Sequence, residues 1–234
     1  MDKKKQESWK IISVGGSIII PKTGFDVEFL KKFRALILTQ LKKGERLILV
    51  IGGGATCRQY QAAASGVVPL TNTDLDWLGI YTTQFNAQFV KFLFKGFAHN
   101  ELVLNPTKKV KTNKKLIIAA GWKPGCSTDN DAVLLAKTYG VKEVFNLSNI
   151  EYVYDKDPNK FSDAKKLEKI NWASFRKEVV GNSWIAGKNA PFDPTASRAA
   201  QKLKLTVKIL QGTNLAEVEK AICGEVFVGT TIRP

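Results

Sequence analysis

Three glycine turns set the chemistry open to this chain. Each closes an apolar run: "SVGGS" carries Gly15, Gly16 and Ser17, "VIGGGA" carries Gly52, Gly53 and Gly54, and "IAAGWKPG" runs from Gly121 to Gly125. In open α/β sheets, ligands sit beyond the carboxyl ends of the strands. A glycine there lets backbone N–H groups approach a ligand, and a helix starting just after it adds partial positive charge. Phosphate suits such turns. One GGG is weak evidence; three turns on one sheet edge are hard to explain as backbone geometry alone. None fits GxxxxGK[ST], and no GxGxxG follows the first strand, so phosphates would be bound by another arrangement.

Charged and hydroxyl side chains follow the turns. Arg58 falls about one helical turn past Gly54, where a guanidinium can grip phosphate bidentately. Asp76 stands in the apolar "LDWLGI", which suits a ligand-facing carboxylate or a helix cap, and a carboxylate accepts from ribose hydroxyls. Pro124–Gly125 makes a rigid turn before Ser127 and Thr128, whose hydroxyls suit a helix N-cap, a phosphate, or both. Asp129 and Asp131 fall in that helix's first turn, where acids complement the dipole; a magnesium role is an alternative. The lone His99 is read as a surface or core residue, not a general base.

Composition narrows the class. The 234 residues are 44% hydrophobic, enough for a substantial core in one large α/β domain or two small ones. No apolar run reaches the roughly 18 residues of a membrane span. The charged stretch at residues 1–10 does not read as a signal peptide. Thirty-six lysines and arginines against 21 acids give a formal net charge of +15, which favours phosphorylated small molecules. The charge is scattered over helix faces and loops, so a nucleic-acid groove is not expected. Cys57, Cys126 and Cys223 show no zinc or disulfide spacing and read as small buried hydrophobes in a reducing cytoplasm.

Positioning elements are legible as an alternation. "WKIISVGGSIII" reads as a buried strand interrupted by glycines, and "DVEFLKKFRALILTQLKKG" as a helix ending at Gly44. "RLILVI", "KLIIAA", "EVFNL", "LTVKIL" and "VFVGTTI" read as further strands. "ATCRQYQAAAS", "TDLDWLGIYTTQFNAQFVKFLFKG", "TDNDAVLLAKTYG" and "NLAEVEKAICG" read as helices, with others near 171–180 and 193–202. Pro106–Lys115 reads as a basic turn or hairpin tip. Strands alternating with helices imply a mainly parallel sheet covered on both faces.

"SVGGS", "VIGGGATCRQY", "LDWLGI…TQFNA", "GWKPGCSTD", "YVYDKDP…DAKK" and the terminal "GTTI" occur in the order seen in the amino acid kinase family. The chain resembles that family, and within it the UMP kinases of archaeal type, over nearly its whole length. The resemblance implies an α/β; three-layer α/β/α sandwich, usually hexameric, using ATP and Mg2+ to convert UMP to UDP in the cytoplasm. It implies a single domain over 1–234, acceptor-binding first and ATP-binding from about residue 145.

Carried over, Gly15, Gly16 and Ser17 would lie along the phosphates, with Gly16, Ser17 and Lys123 closest to the chemistry. Gly52, Gly53, Gly54 and Arg58 would surround the UMP phosphate. Asp76 would bind ribose, Thr128 would contact the acceptor, and Asn86 matches the family asparagine. Asn149, Tyr154, Asp157 and Pro158 would serve ATP, with Phe161 on the same loop.

Two departures stand out. Ser13 occupies the place of a frequent lysine; Lys10 lies on the other strand face, leaving Lys123 or Lys188 to supply charge. Glu151-Tyr152 replaces aspartate-glycine, which alters the ATP groove rather than abolishing it. Two rival readings remain: a kinase of another small phosphate, carboxylate or carbamate, and a non-catalytic anion or metal-oxyanion storage protein, whose members have a segment like "APFDP".

Overall fold

A computed structural model describes residues 9–181, 183 and 190–234. Lys188 lies outside them. The first strand, β1 (Trp9–Val14), is buried along nearly its whole length and stops before the glycines. After Gly15, the four residues Gly16–Ile19 form a single helical turn, α1, and do not continue the strand. Gly16 forces this turn by packing on the backbone of the second glycine loop. A Cβ on Gly16 would lie 2.1 Å from the Gly54 nitrogen.

Helix α2 (Val27–Lys42) is capped by Asp26, whose carboxylate accepts from the Phe29 N–H, and Gly44 follows it with φ of +97°. Strand β2 (Arg46–Ile51) leads through the triple glycine into α3 (Gly54–Val67). Helix α4 (Asn72–Leu93) opens with a reciprocal Thr71–Asp74 capping box. After it comes a basic stretch whose residues 106–115 turn without pairing as a hairpin. Strand β3 (Leu116–Ala119), helix α5 (Thr128–Tyr139) and strand β4 (Glu143–Ser148) follow.

A two-stranded antiparallel ribbon, β5 (Val153–Tyr154) with β6 (Lys166–Leu167), then stands apart from the main sheet. The chain continues through β7 (Lys169–Asn171) and a short helix α6 (Trp172–Ser174), which runs into a π-helical turn at Phe175–Val180. Helix α7 (Pro194–Lys202), β8 (Thr206–Gln211), α8 (Leu215–Cys223) and β9 (Thr230–Arg233) complete it.

The main sheet has the order β3-β2-β1-β4-β8-β9-β7, parallel except where β9 runs against β8. The chain builds outward from β1 on one side, then returns to lay β4 on the other side. The carboxyl ends of β1 and β4 therefore flank a topological switch point, where open sheets leave a ligand crevice.

Alternation along the strands divides the core. Ile12, Val14, Leu47, Leu49 and Ile51 face α2, α4 and α8 through Phe33, Ile37, Ala87, Val90, Phe94 and Ile222. Ile11, Ile48, Val50, Ile117 and Val144 face α5 and α7 through Ala132, Leu135, Ala136, Ala196 and Ala200, with Trp172, Phe175 and Phe192 beside them. The result is the expected α/β/α sandwich. No helix among the described residues is long and apolar enough to cross a membrane.

Candidate functional site

Three cavities line up along the carboxyl edge of the sheet. The first is walled by α3, α4 and the loop after β3, and contains Gly53, Gly54, Arg58, Asp76, Lys123 and Thr128. The second lies at the switch point between β1 and β4, and contains Gly15, Gly16, Ser17, Gly52, Thr128 and Asn149. Gly53, Ser127 and Thr128 belong to both, so the two adjoin. The third lies by the β5–β6 ribbon, contains Tyr152, Tyr154, Asp157 and Pro158, and meets the second at Pro191. The candidate site residues thus converge as three adjoining groups. Phe161 is half-exposed under the Lys156 ammonium and does not line the third cavity.

One face of α4 holds the second and third glycine turns. Asn86 Nδ2 donates to the carbonyls of Gly52 and Gly53, each at 3.0 Å. Thr83 Oγ1 accepts from the Gly121 N–H at 2.9 Å and donates to the Ile80 carbonyl at 2.7 Å. Asp76 Oδ2 accepts from the Gly125 N–H at 2.7 Å. Positions 76, 83 and 86 share one face at helical spacing, so a single rigid helix sets the relative placement of the turns. Asp76 is therefore a loop anchor as well as a cavity residue.

On the other face of the sheet, Ser13 and Asn146 are register partners on β1 and β4. Both donate to Asp129 Oδ1, at 2.9 and 3.0 Å, and the Asp193 N–H donates to Asp129 Oδ2 at 3.3 Å. At the place where the family resemblance implies a lysine, this chain ties β1 to α5 through Ser13. Lys10 is engaged far away, with Glu45 at 2.8 Å and the Ile222 carbonyl at 2.7 Å. His99 donates its backbone N–H to the Leu116 carbonyl at the start of β3, the end of the strand remote from the cavities.

Asp129 and Asp131 do more than complement a helix dipole. Loss of water, then the charge of Asp193, pushes the Asp129 carboxyl up to about 6. Burial pushes Asp131 up to about 8. Asp193, also buried and raised by its burial, accepts from the N–H groups of Ser127 at 2.5 Å and Thr195 at 2.6 Å. It caps α7 and at the same time grips the start of α5. Ser127 is the N-cap of α5, its hydroxyl accepting from the Asp129 N–H.

The cysteines depart from expectation. None is buried: Cys57 and Cys126 are partly exposed in the first cavity and Cys223 is exposed. Partial loss of water around their sulfurs pushes the Cys57 thiol up and the Cys126 thiol to about 12, so both are protonated wall groups at neutral pH.

Sequence reasoning passed over Gln61, which lines the first cavity and donates to the Leu75 carbonyl at 2.8 Å. It also passed over the work of the terminal "GTTI". Buried Thr230 accepts from the Val153 N–H and donates to the Leu167 carbonyl, fastening the β5–β6 ribbon to the main sheet. No local signal marks a threonine whose partners lie more than sixty positions away.

Glycine turns, an arginine and a switch-point crevice at one sheet edge place the chain among α/β/α sandwich proteins with a ligand crevice beyond the strand ends. The pattern of the amino acid kinase family matches residues 8–211, and the chain belongs to that family. Its relatives include the uridylate kinase of Pyrococcus abyssi, 32% identical over 227 residues, covering 96% of this chain and 99% of the relative. The uridylate kinase of Methanospirillum hungatei is 30% identical over 224 residues, 95% and 93% of the two chains. Among solved structures, uridylate kinase from Archaeoglobus fulgidus superposes with a TM-score of 0.80 at 24% identity, over 95% of this chain and 99% of the other.

Proposed function

We propose that the chain phosphorylates UMP to UDP with ATP as the donor. The observation that carries this reading is the adjacency of the first two cavities. A pocket holding Arg58 and Asp76 opens directly onto a gap walled by Gly15, Gly16 and Ser17. Kinase relatives named for the same activity span nearly the whole chain.

UMP would occupy the first cavity, with Gly53, Gly54 and Arg58 on its phosphate and Asp76 toward the ribose. ATP would lie along the third, its phosphates entering the second. This divides the chain at about residue 145 into acceptor-binding and ATP-binding parts. A phosphate oxygen of UMP attacks the γ-phosphorus in line; the new bond forms as the bond to the β–γ bridging oxygen breaks, and ADP leaves. Such transfer needs positioning and charge neutralisation and no covalent enzyme intermediate. Backbone N–H groups at the starts of α3 and α5, Arg58 and Lys123 would supply the neutralisation. The Lys123 ammonium rests 4.3 Å from the centroid of the Trp122 ring, and Lys123 lines the first cavity. Among the described residues, no group of three or more His, Cys, Asp or Glu is placed to hold a metal. Magnesium would be carried by the phosphates of ATP itself, and no step here passes through it. Incubation with ATP, Mg2+ and UMP should yield UDP; none formed across a broad range of conditions would overturn the reading.

Tyr152 bears on the ATP side. It is buried in the wall of the third cavity, under the Lys166 ammonium at 4.7 Å from its ring centroid. A cavity of about 360 Å3 remains beside it, so the ring narrows the groove without filling it. Tyr152→Gly removes an aromatic wall and unseats Lys166. ATP binding should weaken roughly threefold to tenfold, the size of one aromatic or cation–π contact, while UMP binding stays constant. Paired titrations check this; an unchanged ATP affinity would show that the groove lies elsewhere.

Self-association fits the outer face of α4. Trp77, Tyr81, Phe85 and Phe92 are all exposed there, Phe85 by 76%. A contiguous aromatic stripe of this kind suits a subunit interface. Light scattering should report an oligomer, six copies by the family resemblance; a monomer mass would contradict it.

A further inference from the structure

We propose that Asp131 recognises the base in the acceptor cavity, pairing its carboxyl with the imide edge of uracil. This rests on the UMP reading above and names the group that selects the acceptor. Asp131 lines the same cavity as Arg58 and Asp76. It is only 3% exposed, and its Oδ1 has no hydrogen-bond partner among the described residues. A buried polar atom left unmet is costly, so one that lines a ligand cavity points to a partner supplied by the ligand.

Three other polar side chains of that cavity are already engaged. Thr83 has a donor and an acceptor, Gln61 donates to Leu75, and Asp76 holds Gly125. Arg58 and the glycines suit the phosphate, and they come from α3. Asp131 comes from α5, beneath the loop that carries Trp122, Lys123 and Cys126.

The groups facing Asp131 decide its form. Burial acts first, and the carboxylates of Asp193 on α7 and Asp129 on its own helix also favour the neutral acid. The Trp122 N–H and the Lys123 ammonium oppose them. The neighbouring Cys126 thiol is itself uncharged. The balance sets Asp131 at about 8, so at neutral pH it is a carboxylic acid. A neutral acid offers one donor and one acceptor side by side. Uracil's edge offers a carbonyl acceptor beside the N3–H donor, and the two match as a cyclic pair. An ionised carboxylate would turn two acceptors toward that carbonyl and lose the match. Asparagine keeps one donor and one acceptor at every pH.

The test measures binding of UMP, 3-methyl-UMP and ribose 5-phosphate from pH 7 to 8.8. The proteins are the wild type, Asp131→Asn and Asp131→Leu. Wild-type affinity for UMP should fall about sevenfold over that range as Asp131 ionises. Asp131→Asn should bind UMP within about threefold of wild type at pH 7 and lose the decline, which also controls for ionisation of the base itself. Asp131→Leu should lose on the order of tenfold or more in UMP affinity at pH 7. 3-Methyl-UMP, which lacks the N3–H, should bind wild type weakly. Ribose 5-phosphate should bind all three proteins equally, which establishes that the variants are folded. Wild-type binding of UMP with no pH dependence beyond that of ribose 5-phosphate, or equal UMP binding by Asp131→Leu, would overturn the role of Asp131 and leave the UMP kinase reading standing. Failure of the wild type to bind UMP at pH 7 would overturn that reading, and this one with it.

Discussion

Gly16→Ala should reduce kcat/KM for UDP formation by at least about a thousandfold. The added methyl group would sit 2.1 Å from the Gly54 nitrogen, 2.5 Å from the Gly52 carbonyl oxygen and 2.6 Å from the Gly53 carbonyl carbon. All three are backbone atoms, so no side chain can rotate aside. The opposing loop cannot retreat either: Asn86 holds its carbonyls, and the Gly52 N–H donates to the Val14 carbonyl at 3.0 Å. The two turns must therefore separate, and with them the N–H groups proposed to hold the two phosphates. Misplacement of about 1 Å in a positioning site costs on the order of a hundredfold; here both ligands are affected. Overpacking should also lower stability by about 1–3 kcal/mol. Gly66→Ala is the control, in the same helix as Gly54 but with nothing within 4 Å of the new methyl group. It should leave activity unchanged and stabilise slightly, by up to about 1 kcal/mol. Steady-state kinetics with a thermal melt distinguish the two; near-wild-type turnover by Gly16→Ala would mean that the turns' contact is not part of the site.

Arg58→Ala should weaken UMP by roughly tenfold to a hundredfold and leave ATP nearly untouched. Charge-assisted hydrogen bonds contribute ~1.5–3 kcal/mol each. Arg58 lines the acceptor cavity one turn into α3, while the ATP-side cavity by the β5–β6 ribbon contains none of α3. The expected signature is therefore a split: the KM for UMP rises and the KM for ATP holds. A parallel titration with ribose 5-phosphate should show the same loss as UMP, because the lost partner is the phosphate. An unchanged UMP dissociation constant would remove Arg58 from the phosphate site. Equal losses for both nucleotides would instead mark a residue acting through the packing of α3 and α4.

Rivalry between a kinase and a passive anion binder turns on Ser13 and Tyr152. Ser13 is engaged with Asp129, and Tyr152 narrows a groove that still exists. Neither closes the path between the acceptor cavity and the gap, which is why the catalytic reading is preferred.

Local order in the chain determined the alternation of strands and helices, the caps at Ser127 and Gly44, and the glycine turns with Arg58 one turn beyond. Each depends on neighbours a few residues apart, which is the range over which backbone sterics, capping and periodicity act. The apolar "SIII" was misleading for the same reason. Its composition favours a strand, but the close approach of Gly54 to Gly16 turns it into α1. Tertiary structure alone decided the rest. Ser13 and Asn146 meet Asp129 only because the return crossover lays β4 beside β1 in that register. Asp76, Thr83 and Asn86 act as anchors only because the ends of β2 and β3 come to one face of α4. Asp131 reads in sequence as a first-turn acid that complements the helix dipole, a role normally played in contact with water. Packing of α5 against the sheet and α7 removes that water, and desolvation of one carboxyl then outweighs every local preference around it.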